Sequence, residues 1–398
     1  MRTPRDRKIC HLVRPRSATV TAALGGATLV AIVALFWVFP PDAHRLTLRM
    51  APILLFVAAM SIVVNIAADA GAFDSVAEWI RNRVPPRMSP LIGAWCAVVL
   101  LSTVSTVFLS LDTTAILVTP LAVALAQRTG ASVWASALTV VWIANLGSLL
   151  LPVSNLTNLL AATSGVFSGP AEYTAAAWLP ALVATSIAVV AAVLVYWLRN
   201  HGTLSASAPG PRLPSGPRLR ISLITLGAVL PLLASPVPYW ATASVAAAVL
   251  LIVARPNMPS WMSMIPWRSL SLVTLLSALT TFVHATGATS DLAAYISSGQ
   301  SSTAGLLMIA SSGALAANLI NNIPAYLILE VGIDSADGML ALLIGVNAGP
   351  VITPWASLAT LLWRDQLRRN DIAVPWASYI GIGCVLAPLV ICAAVFTI

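Results

Sequence analysis

Apolar residues run through this chain in long unbroken stretches separated by short polar loops. Full crossings are read at 20–39, 50–70, 133–160, 174–198, 221–236, 239–254, 269–287, 338–363 and 374–397, each near the ~20 residues that carry a helix across a bilayer. Two further stretches, 90–127 and 303–329, are long enough for a helical pair but carry polar residues at their middles, which predicts hairpins. The runs are continuous rather than alternating, so they predict helices and not the strands of a barrel. The expected fold class is an all-α polytopic membrane protein with about nine full spans plus two hairpins.

Composition agrees. Of 398 residues, 59% are hydrophobic and 9% charged, against roughly 25% charged in an ordinary soluble domain. A water-soluble enzyme is excluded. The net charge of +8 raises nucleic acid as a partner, but the basic residues sit in short loops between apolar runs, as the positive-inside rule requires. Starting inside and alternating places 19 of the 21 Lys and Arg residues in the cytoplasm, all but Arg45 and Arg49. The outer loops then hold Asp42, Glu172, Asp291, Glu330, Asp334 and Asp337. The N-terminus is thus expected in the cytoplasm and the C-terminus outside, with the lipid bilayer and not nucleic acid as the environment. The run at 20–39 follows a tail rich in Lys and Arg and ends in Phe39-Pro40-Pro41-Asp42 instead of a small-x-small site, so it reads as a retained span. The organisation expected is a basic cytoplasmic tail at 1–19, an N-terminal membrane half at 20–198, a cytoplasmic linker at 199–220 and a C-terminal membrane half at 221–398. Cys10, Cys96, Cys384 and Cys392 lack the spacing of a zinc site or a disulfide framework. No cofactor or metal is expected.

The halves resemble one another. Gly71-Ala72-Phe73, Ala77 and Ile80 match Gly287-Ala288, Ala293 and Ile296 at an offset of 216, and the polar stretch 109–115 lies against 319–325 at 210. Asn145, Gly147, Pro152, Leu156 and Leu159 meet Asn347, Gly349, Pro354, Leu358 and Leu361 at 202. Each half reads as helix, polar-tipped hairpin, helix broken at Gly and Pro, and helix. On the charge-derived topology 50–70 runs inward and 269–287 outward, so the repeats are expected to be inverted. Inverted repeats with broken helices are the sequence signature of a secondary transporter, with its site between the repeats at mid-membrane.

Unpaired polar groups in hydrocarbon cost several kcal/mol, so polar clusters at span centres mark the candidate site. Ser110, Asp112, Thr113 and Thr114 form the first hairpin tip, and Asn318, Asn321, Asn322 and Pro324 the second. Asn145, Ser148, Ser154, Asn155, Thr157 and Asn158 line the first break; Asn347, Thr353, Ser357 and Thr360 line the second. Asn, Ser and Thr offer donors and acceptors for a small hydroxylated or anionic solute, or for a cation. The plainer reading is that they glue helices together. Asp112 is the acid at a predicted tip, where the other repeat has Asn322. A carboxylate at that depth takes a proton or pairs with a cation, so Asp112 is the first candidate for ion coupling. Asp69 and His284 are further proton-coupling candidates, with an interfacial acid and a satisfied core histidine as the alternatives. No GxxxxGK[ST] sequence occurs and Lys8 is the only lysine, so no ATPase, and no enzyme, is expected on this chain.

At these residues the sequence resembles the arsenite and antimonite efflux permease family, within the ion-transporter superfamily that includes sodium–dicarboxylate symporters. The matching stretches are Leu111 to Pro120, Pro152 to Asn158, Asn321 to Pro324, Ala70 to Phe73 after Asp69, and most specifically Ile344 to Trp363. Two departures stand out: Leu111 precedes Asp112 where the family has Asn, and Asn347-Ala348 stands where an acid is common. The resemblance implies extrusion of trivalent arsenic or antimony in exchange for protons or with a separate ATPase subunit, by a repeat-built unit moving against a scaffold, in a homodimer. The rival transporter reading is a sodium- or proton-coupled carrier of a carboxylate or inorganic anion. A reading from another class is a non-transporting membrane scaffold.

Overall fold

The structure, a computed structural model, describes residues 15–83, 88–162, 164–200, 216–233, 237–255, 258–297 and 299–398. Among them every regular element is a helix. The first half contains α1 (Pro15–Val38), α2 (Pro40–Asp69), α3 (Ala72–Arg81), a hairpin of α4 (Pro90–Phe108) and α5 (Leu111–Thr129), α6 (Val133–Leu146), α7 (Leu156–Ala162) and α8 (Pro170–Asn200). After it come the pair α9 (Pro217–Leu233) and α10 (Tyr239–Ala254) and the short α11 (Met258–Met264). The second half then runs through α12 (Trp267–Ala285), α13 (Ser290–Ser297), a hairpin of α14 (Thr303–Ile320) and α15 (Asn322–Leu329), α16 (Ala336–Ala348), α17 (Leu358–Arg369) and α18 (Trp376–Val395). The order long helix, short helix, hairpin, broken helix and closing helix occurs twice, as α2–α8 and α12–α18.

Among the described residues seven helices are long and apolar enough to cross a membrane: α1 from Val20, α2, α4, α8, α12, α14 and α18. The stretches expected as crossings at 133–160 and 338–363 are each split. α6 has 14 residues, about 21 Å of rise against a hydrocarbon core of ~30 Å, so it reaches across only together with the segment after its break. Pro40 and Pro41, expected to lie in a loop, open α2 instead, which starts ten residues before position 50. Proline suits a first helical turn, where its missing N–H has no intrahelical partner. The predicted linker lies mostly outside the described residues, as do residues 1–14 of the basic tail. What is described at the linker's edges is helical, up to Asn200 and from Pro217.

The short α3 was not apparent from hydropathy. It buries Ala72, Phe73 and Ala77 and turns its acids to the end of α5. Buried Arg128 in the last turn of α5 donates to Glu78 at 2.8 Å and Asp74 at 3.0 Å. The cation also complements the negative end of the α5 dipole. Burial is deepest in α5, α6, α16 and α17, where Trp142 and Trp363 are wholly enclosed. In contrast α1 exposes Leu29, Val30, Val33 and Trp37. An apolar helix exposed in this way is a lipid-facing one.

Close packing around the second break depends on glycine. A Cβ on Gly345 of α16 would collide with the Ala310 carbonyl of α14, and one on Gly383 of α18 with the Val351 carbonyl. Small residues let membrane helices approach to backbone contact. Gly345→Ala is therefore expected to destabilise the protein by about 1–3 kcal/mol, read as a lower thermal midpoint in detergent. Gly25→Ala, whose added methyl meets nothing within 4 Å, should leave the midpoint unchanged.

Candidate solute and ion site

Each hairpin turns on a polar residue that caps the following helix. In the first, the Ser110 hydroxyl oxygen accepts from the Thr113 amide at 3.0 Å and lies 2.8 Å from the Thr113 hydroxyl. Thr114 donates to the Ser110 carbonyl at 3.0 Å and accepts from the Thr106 hydroxyl at 3.0 Å. The turn is thus closed from within, and Asp112 sits in the first turn of α5, where the helix dipole favours an anion. Its Oδ1 is buried and has no hydrogen-bond partner.

The second hairpin turns on Asn321, at φ 80° and ψ 152°, a region costly for any residue but glycine, at about 1–3 kcal/mol. Several bonds hold it there. Asn321 Nδ2 donates to the Trp355 carbonyl at 2.8 Å, and the Asn322 amide to the Ala356 carbonyl at 2.8 Å. Asn318 Nδ2 donates to the Gly349 carbonyl at 2.9 Å and its Oδ1 accepts from the Thr353 hydroxyl at 2.7 Å. The second tip is therefore laced to the second break. Asn322, the repeat counterpart of Asp112, also leaves its side-chain oxygen buried and unpaired.

The two breaks face one another. α6 ends at Asn145 and Leu146, and the Asn145 side chain reaches the start of α17: Oδ1 accepts from the Ser357 hydroxyl at 2.9 Å, and Nδ2 donates to Thr360 Oγ1 at 3.3 Å. Asn347, at the end of α16, reaches the start of α7 in the same way. Its Oδ1 accepts from Asn155 Nδ2 at 2.6 Å and its Nδ2 donates to Asn158 Oδ1 at 3.4 Å. Asn145, Asn347, Asn155, Asn158, Ser357 and Thr360 are all buried. The backbone freed at the breaks is served locally: Asn158 Nδ2 donates to the Ser148 carbonyl at 2.6 Å, the Tyr173 hydroxyl to the Leu149 carbonyl at 2.6 Å, and the Tyr379 hydroxyl to the Pro350 carbonyl at 2.9 Å.

Of the residues singled out from the sequence, Asn145, Asn155, Asn158, Asn347, Ser357 and Thr360 come together in these clasps. Asn318, Asn321, Asn322 and Thr353 gather at the second tip and its break. Ser154 ties the first break to its own hairpin by donating to the Val107 carbonyl at 2.7 Å. Asp69 and His284 join neither group. Asp69 lies at the end of α2, within electrostatic reach of Arg369 at the end of α17. His284 lines a cavity of about 180 Å³ with Arg45, Arg49 and Glu330, and its Nδ1 is 2.9 Å from the Thr289 hydroxyl. Sequence reading missed Tyr173, Tyr379 and Trp363, whose indole donates to the Ala137 carbonyl at 2.9 Å. The signal available was a tyrosine near the start of the last helix in each half.

Among the described residues no group of three His, Cys, Asp or Glu side chains could hold a metal ion. The tips and breaks carry amides, hydroxyls and one carboxylate, and no Lys or Arg. Such groups offer hydrogen-bond donors and acceptors to a small solute. Apolar spans closed around paired breaks and polar tips define a membrane transporter. The comparisons with known proteins narrow the class: the model of the citrate transporter family (CitMHS) matches residues 9–360, and the chain belongs to that family. It is also similar to the arsenical pump membrane protein of Escherichia coli (strain K12), at 25% identity over 350 residues, 82% of this chain and 81% of the relative. The protein of that name from Yersinia enterocolitica is 25% identical over 360 residues with the same coverage. Another from Escherichia coli is 27% identical over 318 residues, 73% of each chain.

The clasps yield a quantitative expectation. In a double-mutant cycle of Asn155→Ala and Asn347→Ala, the two losses of unfolding free energy should be non-additive by about 0.6–1.7 kcal/mol, the range for interhelical side-chain bonds in membranes. Strict additivity would show that the 2.6 Å bond between them does not couple the halves.

Proposed function

We propose that this chain exports trivalent arsenic and antimony, as their small neutral hydroxides, in exchange for protons. The observation that carries the reading is that the two repeat-related tips each present one buried, unpaired oxygen, and that one of them is the carboxylate of Asp112. A buried carboxylate without a partner binds a proton or cation, which suits it to coupling. Asp112, Thr113, Thr114, Asn318, Asn321 and Asn322 serve as the tip ligands, and Asn145, Ser154, Asn155, Asn158, Asn347, Thr353, Ser357 and Thr360 as the polar wall. Arsenous acid is uncharged at neutral pH and carries three hydroxyls, which amides and hydroxyls hold without thiolates. The names of the relatives support this solute. The family's name favours citrate, but a tricarboxylate calls for cationic side chains, and the tips and breaks contain none.

The repeats are read as inverted. The cavity holding His284 joins the first turns of α2 to the end of α12, while Asn65, near the end of α2, donates to the Met264 carbonyl just ahead of α12 at 3.3 Å. Those two repeat-equivalent helices therefore run antiparallel. The reciprocal clasps support the same pseudo-twofold relation. The charge bias of the loops supports an N-terminus in the cytoplasm and a C-terminus outside. The clasped half-helices and tips form the mobile unit of each protomer in a homodimer.

Inside-out vesicles provide the test. Arsenite should accumulate in proton-loaded vesicles and the uptake should collapse on adding a protonophore. Asp112→Asn should reduce gradient-driven uptake to background with normal expression and thermal midpoint, and Asn322→Ala should lower it. Citrate uptake without arsenite uptake would replace the metalloid by a carboxylate. Flux of neither solute in folded, oriented protein would favour a scaffold or a missing ATPase subunit. Full activity of Asp112→Asn would remove that carboxylate from coupling.

A further inference from the structure

A second polar feature lies away from the tips, where α1 docks against the start of α12 and the C-terminal half of α17 lies on the other side of a hollow. A cavity of about 370 Å³ opens there, lined by Arg268, Arg364 and Arg368, with Ser269 beside them and an apolar wall of Leu24, Leu272 and Leu361. Three arginines thus share one hollow, close enough that the charges of Arg268 and Arg368 act on Arg364. The nearby acid is Asp365, beside Arg364; it accepts from Arg369 at 2.9 Å and pairs with the cavity's own Arg368 at 3.8 Å, so a single carboxylate, shared with Arg369, stands against the three arginines. Arg369 itself turns away to the carbonyls of Ser263 and Met264. Among the described residues, no carboxylate lies within ion-pair distance of Arg268 or Arg364, and Arg364 is half-buried.

Gathering like charges around a half-buried hollow is unfavourable, and more so at low dielectric. An anion in the hollow reverses the sign. The surroundings indicate which anion. Leu24 belongs to α1, the helix whose outward face is exposed and apolar, so the cavity borders lipid. Trp267, next to Arg268, is exposed and donates its indole N–H to the Met262 carbonyl at 3.0 Å, the amphipathic placement of an aromatic at headgroup level. Basic pockets between membrane helices at this level take phosphate headgroups.

We propose that this cavity binds the phosphodiester headgroup of an anionic phospholipid, with Arg268 and Arg364 on the phosphate and the acyl chains along α1. The bound lipid fastens the peripheral α1 to α12 and α17, beside the α17 half-helix whose first turn clasps Asn145. This assignment is independent of the solute transported and is tested without a transport assay.

Native mass spectrometry of the full-length protein in neutral detergent, titrated with phosphatidylglycerol or phosphatidylcholine, measures the binding. Phosphatidylglycerol should bind at least about fivefold more tightly than phosphatidylcholine, and Arg268→Gln and Arg364→Gln should each weaken it by about fivefold, as loss of one basic residue near a membrane surface does. The thermal midpoint should rise with phosphatidylglycerol in the wild type, and less in Arg268→Gln. Arg268 is exposed, so that variant reports even where Arg364→Gln fails to fold. Equal affinity for the two lipids, or unchanged affinity in Arg268→Gln, overturns the proposal. Displacement of the lipid by inorganic phosphate at equal concentration overturns it too, in favour of a free-phosphate site.

Discussion

The structure depends on one constraint: a helix broken in the middle of a membrane must find internal partners for every backbone group it frees. Each orphaned group costs several kcal/mol in hydrocarbon, whereas an interhelical side-chain bond contributes on average only about 0.6 kcal/mol. The clasps therefore matter as removal of a penalty more than as attraction. Asn158, Tyr173 and Tyr379 serve carbonyls at the breaks of their own halves. Asn145 and Asn347 close the arrangement by each reaching into the other half. Neither break is complete without its counterpart, which fixes how the two halves meet.

The tips are built on the same plan but are not equally tied. Asn318, Asn321 and the Asn322 amide hold the second tip to the segment after α16, and they keep Asn321 at a backbone conformation it would otherwise leave. The first tip is closed mainly by its own Ser and Thr residues, with Ser154 as its link to the first break. The carboxylate thus stands on the tip with fewer tethers. On the proposed reading that asymmetry divides two roles between the tips, a rigid amide side and a looser acid side.

Much of this was legible in the sequence for a physical reason: in an apolar chain a polar residue stands out against its neighbours. Asn145, Asn155, Asn347 and Ser357 were conspicuous because hydrocarbon does not tolerate them unpaired, and they do pair with each other. Tyr173, Tyr379 and Trp363 were not, because an aromatic with one polar atom in an apolar run reads equally as an interface anchor. The pairing of Arg128 with Asp74 and Glu78 was hidden for a similar reason, since loop charges report topology before they report contacts. Asp69 and His284 stand apart from the tips and breaks, since position along a run does not give depth. α2 is 30 residues long, more than a bilayer requires, and both side chains lie at helix ends.

On the proposed reading, the clasps and the tips meet a solute differently. Asn155 and Asn347 are already bonded to each other, so a hydroxylated solute that binds there exchanges one set of hydrogen bonds for another, with little net change. Asp112 and Asn322 present oxygens that are bonded to nothing, so a proton, cation or hydroxyl donor arriving there relieves a desolvation penalty of about 1–3 kcal/mol, more for the charged group. The driving force for binding therefore lies at the tips, and the clasped wall sets shape and selectivity. A transporter arranged in this way couples its ion and its solute because both satisfy the same pair of orphaned acceptors.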